Sequence, residues 1–575
     1  MSKFIFVKYK RQQDQSHILD RLTKICDYIS PRGIKMDHLI YANKSCENSF
    51  CAIQNSTHRT INETYLEIGQ VFNESDSYKR VNGQYPDGSY SLIRFDKDEL
   101  EFFCDRFCSR TLWYYYDDEV VVVSNSQRAI VAIKGEFELN KKVISWFLSS
   151  GTQGPFLSWD KNVKMVMHSQ ALVFDFKQWR IAAKNIKYDY EADNKYQSKK
   201  EFEANFKSTV SQYLLKSLDN YKPEQVVLPI SGGYDSRLLL ALLQKDKIAE
   251  DISVVNWGTK ISGVLNDKVA SKIVAQDYNA NYIDKELPSE VNNIKDFLEN
   301  YIQLGDCRID DFNAFTDNFK IWHELFESGV KILIRGDIPY TVGLDLNTLM
   351  ARSHIGINLF KDYSNYNDYD FGGLLHQQDD IGAIDKGSSE TLIEWRDRLY
   401  VEYRVPIVVS AFSDLINAFV ENRSPMMLGQ IFRNYTSQKN STKGDKKHIV
   451  RICKEIDISK LRYNAVPSIP GREEIFYNSQ GIQFLKEYLK NIDKDSCVEC
   501  SLIKSVLIKM DNIVLPKTQS SVKKKIISCL SNNLPVVIKS KLKSKRKLFL
   551  SPVTLAYRIV MIDMAVKMYK KDSKL

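Results

Sequence analysis

The stretch Val226-Val227-Leu228-Pro229-Ile230-Ser231-Gly232-Gly233-Tyr234-Asp235-Ser236 decides how this chain folds. Val226 to Ile230 is a short apolar run of strand length. Arg237 to Leu243, which follows, is apolar almost all round, as a buried helix would be. Between them Ser-Gly-Gly-x-Asp-Ser turns the chain. Its two glycines let the backbone approach an anion closely and adopt positive φ. The helix that starts there offers unpaired N–H groups and the positive end of its dipole, and Ser231 and Ser236 add hydroxyl donors. Together these predict a pocket for an oxyanion such as phosphate. A Walker A loop spaces its glycines more widely and ends in Lys-Ser or Lys-Thr. Here an acid stands in place of that lysine, and an acid beside phosphate makes sense mainly through a bound Mg²⁺. Asp235 is therefore the first candidate metal ligand. Pro229 conflicts with a central strand because it has no N–H to donate, a conflict softened by its place near the strand's end. The competing reading is a surface turn, for which Gly-Gly between Ser and Asp is good chemistry. The flanking strand and helix weigh against it.

Downstream, the alternation continues. Ile252 to Trp257 reads as a strand, Lys268 to Gln276 as a helix and Lys331 to Ile334 as a strand. This order predicts an α/β parallel sheet with helices on its faces. From about Ser389 onward the pattern is mostly helical. Upstream, Ser16 to Tyr28 has helical spacing at Ile18, Leu19, Leu22, Ile25 and Cys26. Three hairpins follow: Tyr90–Phe95 with Glu99–Phe103, Trp113–Tyr116 with Val120–Val123, and Ala171–Phe176 with Arg180–Ala182. A helical pattern lies between Lys141 and Leu148. Hairpins flanked by helices predict a layered α+β domain over residues 1–190. The polar stretch Tyr188 to Lys200 marks its boundary. A second domain is expected over 200–515, and a basic helical extension over 516–575.

Composition bounds the function classes. The chain has 575 residues, 43% apolar and 27% charged, which is an ordinary globular balance and too long for one core. No run of 18 or more apolar residues suggests a membrane span. The apolar run near Phe4 is too short for a signal peptide, so a cytoplasmic location is expected. The 10 cysteines suit reduced thiols, and Cys497-Val498-Glu499-Cys500 lacks the second pair a zinc site wants. The net charge is +9, and residues 516–551 hold ten Lys or Arg and no acid. The plain reading is a solvated basic surface. The sharper one is a patch for an anionic partner (lipid head groups, which would place the protein peripherally at a membrane, an acidic glycan or nucleic acid).

The Ser231–Ser236 loop resembles the pyrophosphate loop (PP-loop) of the N-type ATP pyrophosphatases. Further segments, in order, resemble the asparagine synthetase family within that group. They are Ile29-Ser30-Pro31-Arg32-Gly33, Asp87-Gly88-Ser89-Tyr90, Asp105-Arg106-Phe107-Cys108-Ser109-Arg110, Arg335-Gly336-Asp337 and Glu402-Tyr403-Arg404-Val405-Pro406. The resemblance implies a glutamine-amidotransferase-like αββα (Ntn-like) sandwich followed by an ATP-binding synthetase domain. It implies a ligase that adenylates a carboxylate, releases AMP and pyrophosphate, and passes the acyl group to ammonia or an amine, as in asparagine biosynthesis. ATP and Mg²⁺ are the implied cofactors. The implied ATP-binding residues are Pro229, Ser231, Gly232, Gly233, Asp235, Ser236, Asn256, Trp257, Gly258, Asp267 and Gly336. Asp235 and Asp337 would share the metal, and Glu402 and Arg404 would lie near the reacting centre.

The chain also departs from that pattern. Glutamine-dependent members begin Met-Cys-Gly, whereas this chain begins Met1-Ser2-Lys3. Ser2 would have to serve as nucleophile after removal of Met1, and a hydroxyl is a poorer nucleophile near neutral pH than a thiolate. An N-terminal domain without glutaminase activity is the better expectation, as in family members that make β-lactams or lasso peptides. The carboxylate could be free aspartate, a peptide or a sugar acid. The acidic loop reads Gly336-Asp337-Ile338-Pro339 and lacks the family's following Glu. The family's Arg-x-Lys segment corresponds to Pro467–Glu473, which offers Arg472 but no Lys; Lys447 does not match, so the catalytic cation stays unassigned. A tRNA-modifying adenylating enzyme and a non-catalytic scaffold are the alternatives.

Overall fold

The computed structural model describes residues 3–55, 60–62, 64–72, 75–187, 198–246, 248–259, 266–288, 290–340, 347–379, 381–438, 446–459, 461, 469, 471–493, 496–515 and 548–575. Ser2 and most of the basic tract, 516–547, lie outside them.

The N-terminal strands are β1 (Phe4–Tyr9), β2 (His38–Ala42), β3 (Ser49–Gln54), β4 (Thr60–Asn62), β5 (Tyr65–Val71), β6 (Gly88–Phe95), β7 (Glu99–Cys104), β8 (Trp113–Tyr116), β9 (Val120–Ser124), β10 (Lys164–Met165), β11 (Gln170–Asp175) and β12 (Arg180–Asn185). They form two antiparallel sheets, ordered β10-β8-β9-β1-β3-β2 and β12-β11-β7-β6-β5-β4. The three expected hairpins are present, with Phe95 opposite Leu100, Tyr116 opposite Val121 and Asp175 opposite Arg180. Alternation along the strands sends Phe4, Phe6, Cys51 and Ile53 of one sheet against Leu66, Ile93, Phe95 and Phe102 of the other, which fixes the sandwich core.

The opposite face of the first sheet is covered by helices α1 (Gln15–Ile29), α2 (Gln127–Lys134) and α3 (Lys141–Ser150). The outer face of the second sheet departs from the expected αββα order. Among the described residues it is covered by the segment around the short turn Asp76–Lys79, whose Tyr78 and Tyr85 pack on Tyr65, Tyr90, Leu92 and Phe103. That face also buries the ion pair of Arg94 and Glu101 at 2.7 Å. With a guanidinium on the face, three of whose remaining bonds go to the carbonyls of Tyr78, Gly83 and Gln84, a loop supplying carbonyls covers it better than a helix would.

Helix α4 (Lys199–Lys216) leads into the second region, where β13 (Val226–Pro229), β14 (Ser253–Gly258), β15 (Asn281–Glu286), β16 (Ile332–Ile334) and β17 (Glu421–Arg423) form a parallel sheet ordered β15-β14-β13-β16-β17. Helices α5 (Tyr234–Lys245), α6 (Asp267–Asp277) and α7 (Ile294–Gly305) follow β13, β14 and β15. Pro229 ends its strand opposite Val255, past the last pairing of β13 with β16 at Val227 and Leu333, so its missing N–H interrupts no ladder on that side.

The described part of the 516–575 segment is largely one helix, Pro552–Asp572, which is buried nearly all round, from Val553 to Val566, and packs between α2 and α3 on one side and α7, Ser479–Lys490 and Cys500–Asp511 on the other. Arg128 of α2 clamps Asp572 with two bonds of 2.7 Å. A further buried ion pair, Lys3 with Asp306 at 2.9 Å, joins β1 to the end of α7. The N-terminal helical layer and the C-terminal helices therefore share one core. No helix of the described residues is long and apolar enough to cross a membrane. Cys497 and Cys500 gather no set of three or more His, Cys, Asp or Glu among the described residues.

Candidate functional site

The loop after β13 is held by backbone and side-chain bonds of its own. Ile230 N–H donates to the Val255 carbonyl over 2.9 Å, and Asn256 Nδ2 donates to the Ile230 carbonyl over 2.7 Å. Gly232 N–H donates to Asp267 Oδ1 over 3.1 Å, so Asp267, in the first turn of α6, acts on the loop itself. Ser231 Oγ accepts from Gly233 N–H at 3.1 Å, and Ser236 Oγ accepts from Ser231 N–H at 3.3 Å. The hydroxyls thus brace the turn, besides facing the cavity. Gly233 has φ −72° and ψ 154°, ordinary extended values, which corrects the expectation of positive φ there. What matters is space. A Cβ on Gly233 would stand 3.2 Å from Ser231 Oγ. Gly233, at the cap of α5, has no side chain to occupy the first N–H groups of the helix.

A cavity of about 310 Å³ opens on this helix end. That lies at the lower end of the range for small-molecule sites. Pro229, Ser231, Gly233, Asp235, Ser236, Asn256, Trp257, Asp267, Gly336 and Asp337 all line it, so the structure brings together most of the residues that the sequence singles out. Gly232 takes part through its amide. Gly258 does not line the cavity; it ends β14, paired with Glu286. Val255, Trp257, Phe412 and Ile469 supply apolar walls, with Trp257 packed edge-to-face on Trp322 at 5.2 Å. Among the described residues, three larger clefts, about 1110, 830 and 410 Å³, lie elsewhere and contain none of these residues.

Two charged groups of the cavity, Asp235 and Arg335, are only partly satisfied. Asp337 accepts from Arg335 Nη2 at 3.1 Å and from Ser424 Oγ at 2.9 Å. Arg335 lies over the Phe412 ring at 4.9 Å, and its Nη1 is buried without a hydrogen-bond partner. Asp235 Oδ2 is paired with Lys446 Nζ, while Asp235 Oδ1 is buried without a partner. An acceptor and a donor left open in one cavity fit a cation at Asp235 and an anion at Arg335. A magnesium-bound phosphate carries both. Lys446 and Arg335 are residues the sequence reading missed. Arg335 stood in the quoted Arg-Gly-Asp segment; Lys446 is 211 residues from Asp235 and gave no local signal.

Glu402 and Arg404 do not line the cavity. They sit in a wide π-type stretch, Tyr400–Val409, within a continuous helical rod from Leu392 to Asn417. Pro406, lacking an N–H, lies inside that stretch, and such a residue accounts for local widening. Glu402 pairs with Arg398 at 3.3 Å and stands 3.6 Å from His168, whose burial lowers its pKa below the ordinary histidine value. Arg404 donates to the Ile355 carbonyl over 2.8 Å. Tyr400 is the residue of this segment that reaches the acidic loop, donating to the Ile338 carbonyl over 3.2 Å; burial pushes its phenol up to about 12.

The remaining family-like segments join the two regions. Asp105 is held within its own turn. Its carboxylate is buried and accepts the amides of Tyr90, Phe107 and Ser109, and burial pushes its pKa up to about 6. Asp87 accepts the first amides of helix Gly429–Thr436, from Gly429 and Gln430, each at 2.9 Å. Arg110 donates to the Asn422 carbonyl over 2.6 Å, and Thr111 to the Pro406 carbonyl over 2.8 Å. Arg472 is held by Asp310 at 2.7 Å and Asp311 at 3.2 Å.

No protein-family model matches the chain, and no curated protein matches it. Among solved structures it is similar to glutamine phosphoribosylpyrophosphate amidotransferase from B. subtilis complexed with ADP and GMP. The two share 10% identity over 51% of this chain and 82% of that chain, with a TM-score of 0.20. It is also similar to an allosteric regulatory enzyme of purine biosynthesis, at 8% identity over 81% of this chain and 97% of that chain, with a TM-score of 0.21. Likenesses this loose carry no argument, and the functional reading rests on the cavity.

Proposed function

We propose that this chain is an ATP-dependent amide-forming ligase that adenylates a carboxylate, releases AMP and pyrophosphate, and transfers the acyl group to ammonia or an amine. One observation carries the reading. A single cavity gathers the start of α5, the carboxylates of Asp235 and Asp337 from separate segments, and a buried guanidinium with an unused N–H.

The residues divide the work. The first N–H groups of α5 and the guanidinium of Arg335 would bind phosphate oxygens. Asp235 and Asp337 would hold Mg²⁺, which would offset charge on the β- and γ-phosphates. Asp235 has an oxygen to spare for this, and Asp337 keeps lone pairs beyond those used by Arg335 and Ser424. The adenine would lie between the apolar walls at Val255, Trp257, Phe412 and Ile469. The substrate carboxylate would attack the α-phosphorus in line, and the bond to the bridging oxygen would break with its electron pair leaving on pyrophosphate. Positioning and charge stabilisation would supply most of the rate.

The test is AMP formation. The purified chain is incubated with Mg²⁺, α-labelled ATP and a carboxylate panel of free aspartate, peptides and sugar acids. AMP and pyrophosphate release that depends on one acid, and is lost in Asp235→Ala, supports the reading. Release of ADP alone overturns it.

A further inference from the structure

We propose that Lys446 is the catalytic cation of this site, held on Asp235 until a divalent metal displaces it onto the phosphates. The proposal rests on the adenylation reading above and names the charge that reading leaves unassigned.

Arg472, the residue that the sequence offered, is taken. Its guanidinium bridges Asp310 and Asp311. Arg335 holds Asp337 through Nη2, and only its Nη1 is left for a phosphate oxygen. Lys446 differs in kind, because its partner is a carboxylate that the metal would claim. The helix that follows Lys446, Lys447–Ile456, is held on two sides. Its Ile449, Ile452 and Cys453 share a core with Leu238 and Leu242 of α5. The far end of that helix is tied to α5 through Arg237 and Asp457 at 3.3 Å. On the acidic-loop side, His448 Nε2 meets the Tyr340 hydroxyl at 2.6 Å, and Tyr340 stacks on Tyr435 with centroids 3.8 Å apart. A held helix next to a flexible four-carbon stem gives the ammonium a short swing about the helix start.

Charge decides the order of events. With no ligand present, the ammonium neutralises Asp235 and competes with a divalent ion for it. A divalent ion that arrives with a triphosphate brings anions of its own. Lys446 would then leave Asp235, and the phosphates would offer its ammonium a compensating charge. There the ammonium stabilises the leaving pyrophosphate oxygen as the α-phosphorus bond breaks. It gives up no proton in the step. The same contact keeps metal from occupying the site without nucleotide.

The experiment uses Mn²⁺ as the probe, with the full chain as wild type, Lys446→Met, Lys446→Arg and Asp235→Asn, and binding followed by calorimetry and Mn²⁺ electron paramagnetic resonance. Without nucleotide, Lys446→Met should bind Mn²⁺ about tenfold more tightly than wild type, Lys446→Arg about as weakly as wild type, and Asp235→Asn not measurably. Carboxylate-dependent AMP release should fall about a hundredfold or more in Lys446→Met. Unchanged or weakened Mn²⁺ binding in a folded Lys446→Met overturns the exchange. Should wild type release no AMP with any acid, the adenylation reading fails instead, and the Mn²⁺ series still decides whether lysine and metal share Asp235.

Discussion

Gly336 and Asp235 meet so closely that a Cβ on the glycine would stand 3.0 Å from the Asp235 Cβ and 3.2 Å from its carbonyl carbon. The end of β16 and the start of α5 are thus one wall, and the two aspartates project from it into the same cavity. Gly336→Ala should push these rigid backbones apart by a few tenths of an ångström. The expected outcome is Mn²⁺-ATP binding weakened about tenfold, with stability lowered by about 1–3 kcal/mol. Calorimetry and a urea melt measure the two. Unchanged nucleotide binding would show that the spacing of the two loops does not matter.

Asp87 does across the two regions what a capping side chain does within a helix. Leu428, at the cap position of helix Gly429–Thr436, has no side-chain oxygen, and Asp87 supplies both of its own from 342 and 343 residues away. Asp87→Ala should cost about 1–2 kcal/mol, the range for a lost cap, and Asp87→Asn less, because one acceptor remains. The reading is the urea midpoint. An unshifted midpoint in Asp87→Ala would mean that water replaces the carboxylate without loss.

Much of this was legible in sequence where the signal is local. Val226–Ile230 and the turn after it declare strand, loop and helix within a dozen residues, and the three hairpins announce themselves by alternation and polar turns. Three kinds of feature were not legible. Edge strands such as β15, Asn281–Glu286, carry Asp284, Lys285 and Glu286 and do not read as strand. Lys446 reaches Asp235 through tertiary packing that no spacing encodes. Glu402 matched a motif, yet the wide π-type turn around Pro406 and the pull of Arg398 and His168 set its direction, and motif position does not predict them. The burial of Pro552–Asp572 was legible in principle. Its apolar residues lie all round the helix, a pattern masked by the basic run before it and by the lysines near its end.

Glu67, on β5, gives stability a pH dependence of predictable sign. Burial raises its carboxyl to about 7 from 4.5, although Tyr78 donates to it over 2.9 Å. The folded state therefore holds the proton to higher pH than the unfolded chain. Through that window stability falls as pH rises, and above it the folded state carries the whole penalty. Glu67→Gln has no charge to bury and still accepts from Tyr78. Its melting temperature should match wild type near pH 4.5 and exceed it by a few degrees at pH 8. A difference that does not change with pH would assign the effect to something other than the carboxyl.

The clamp of Arg128 on Asp572 tests whether the last helix belongs to the core. Both side chains are 1% exposed, two bonds of 2.7 Å join them, and Arg128 Nη1 also donates to the Gln303 carbonyl over 3.0 Å. Removing one partner leaves a buried charge uncompensated, whereas replacing both by apolar groups removes the desolvation cost as well. Asp572→Ala should therefore cost about 3–5 kcal/mol, and Arg128→Met with Asp572→Leu should recover most of it or exceed wild type. Chemical denaturation of the three proteins supplies the ordering. If Asp572→Ala unfolds at the wild-type midpoint, Pro552–Asp572 is not docked against α2, and the shared core of the two regions is lost with it.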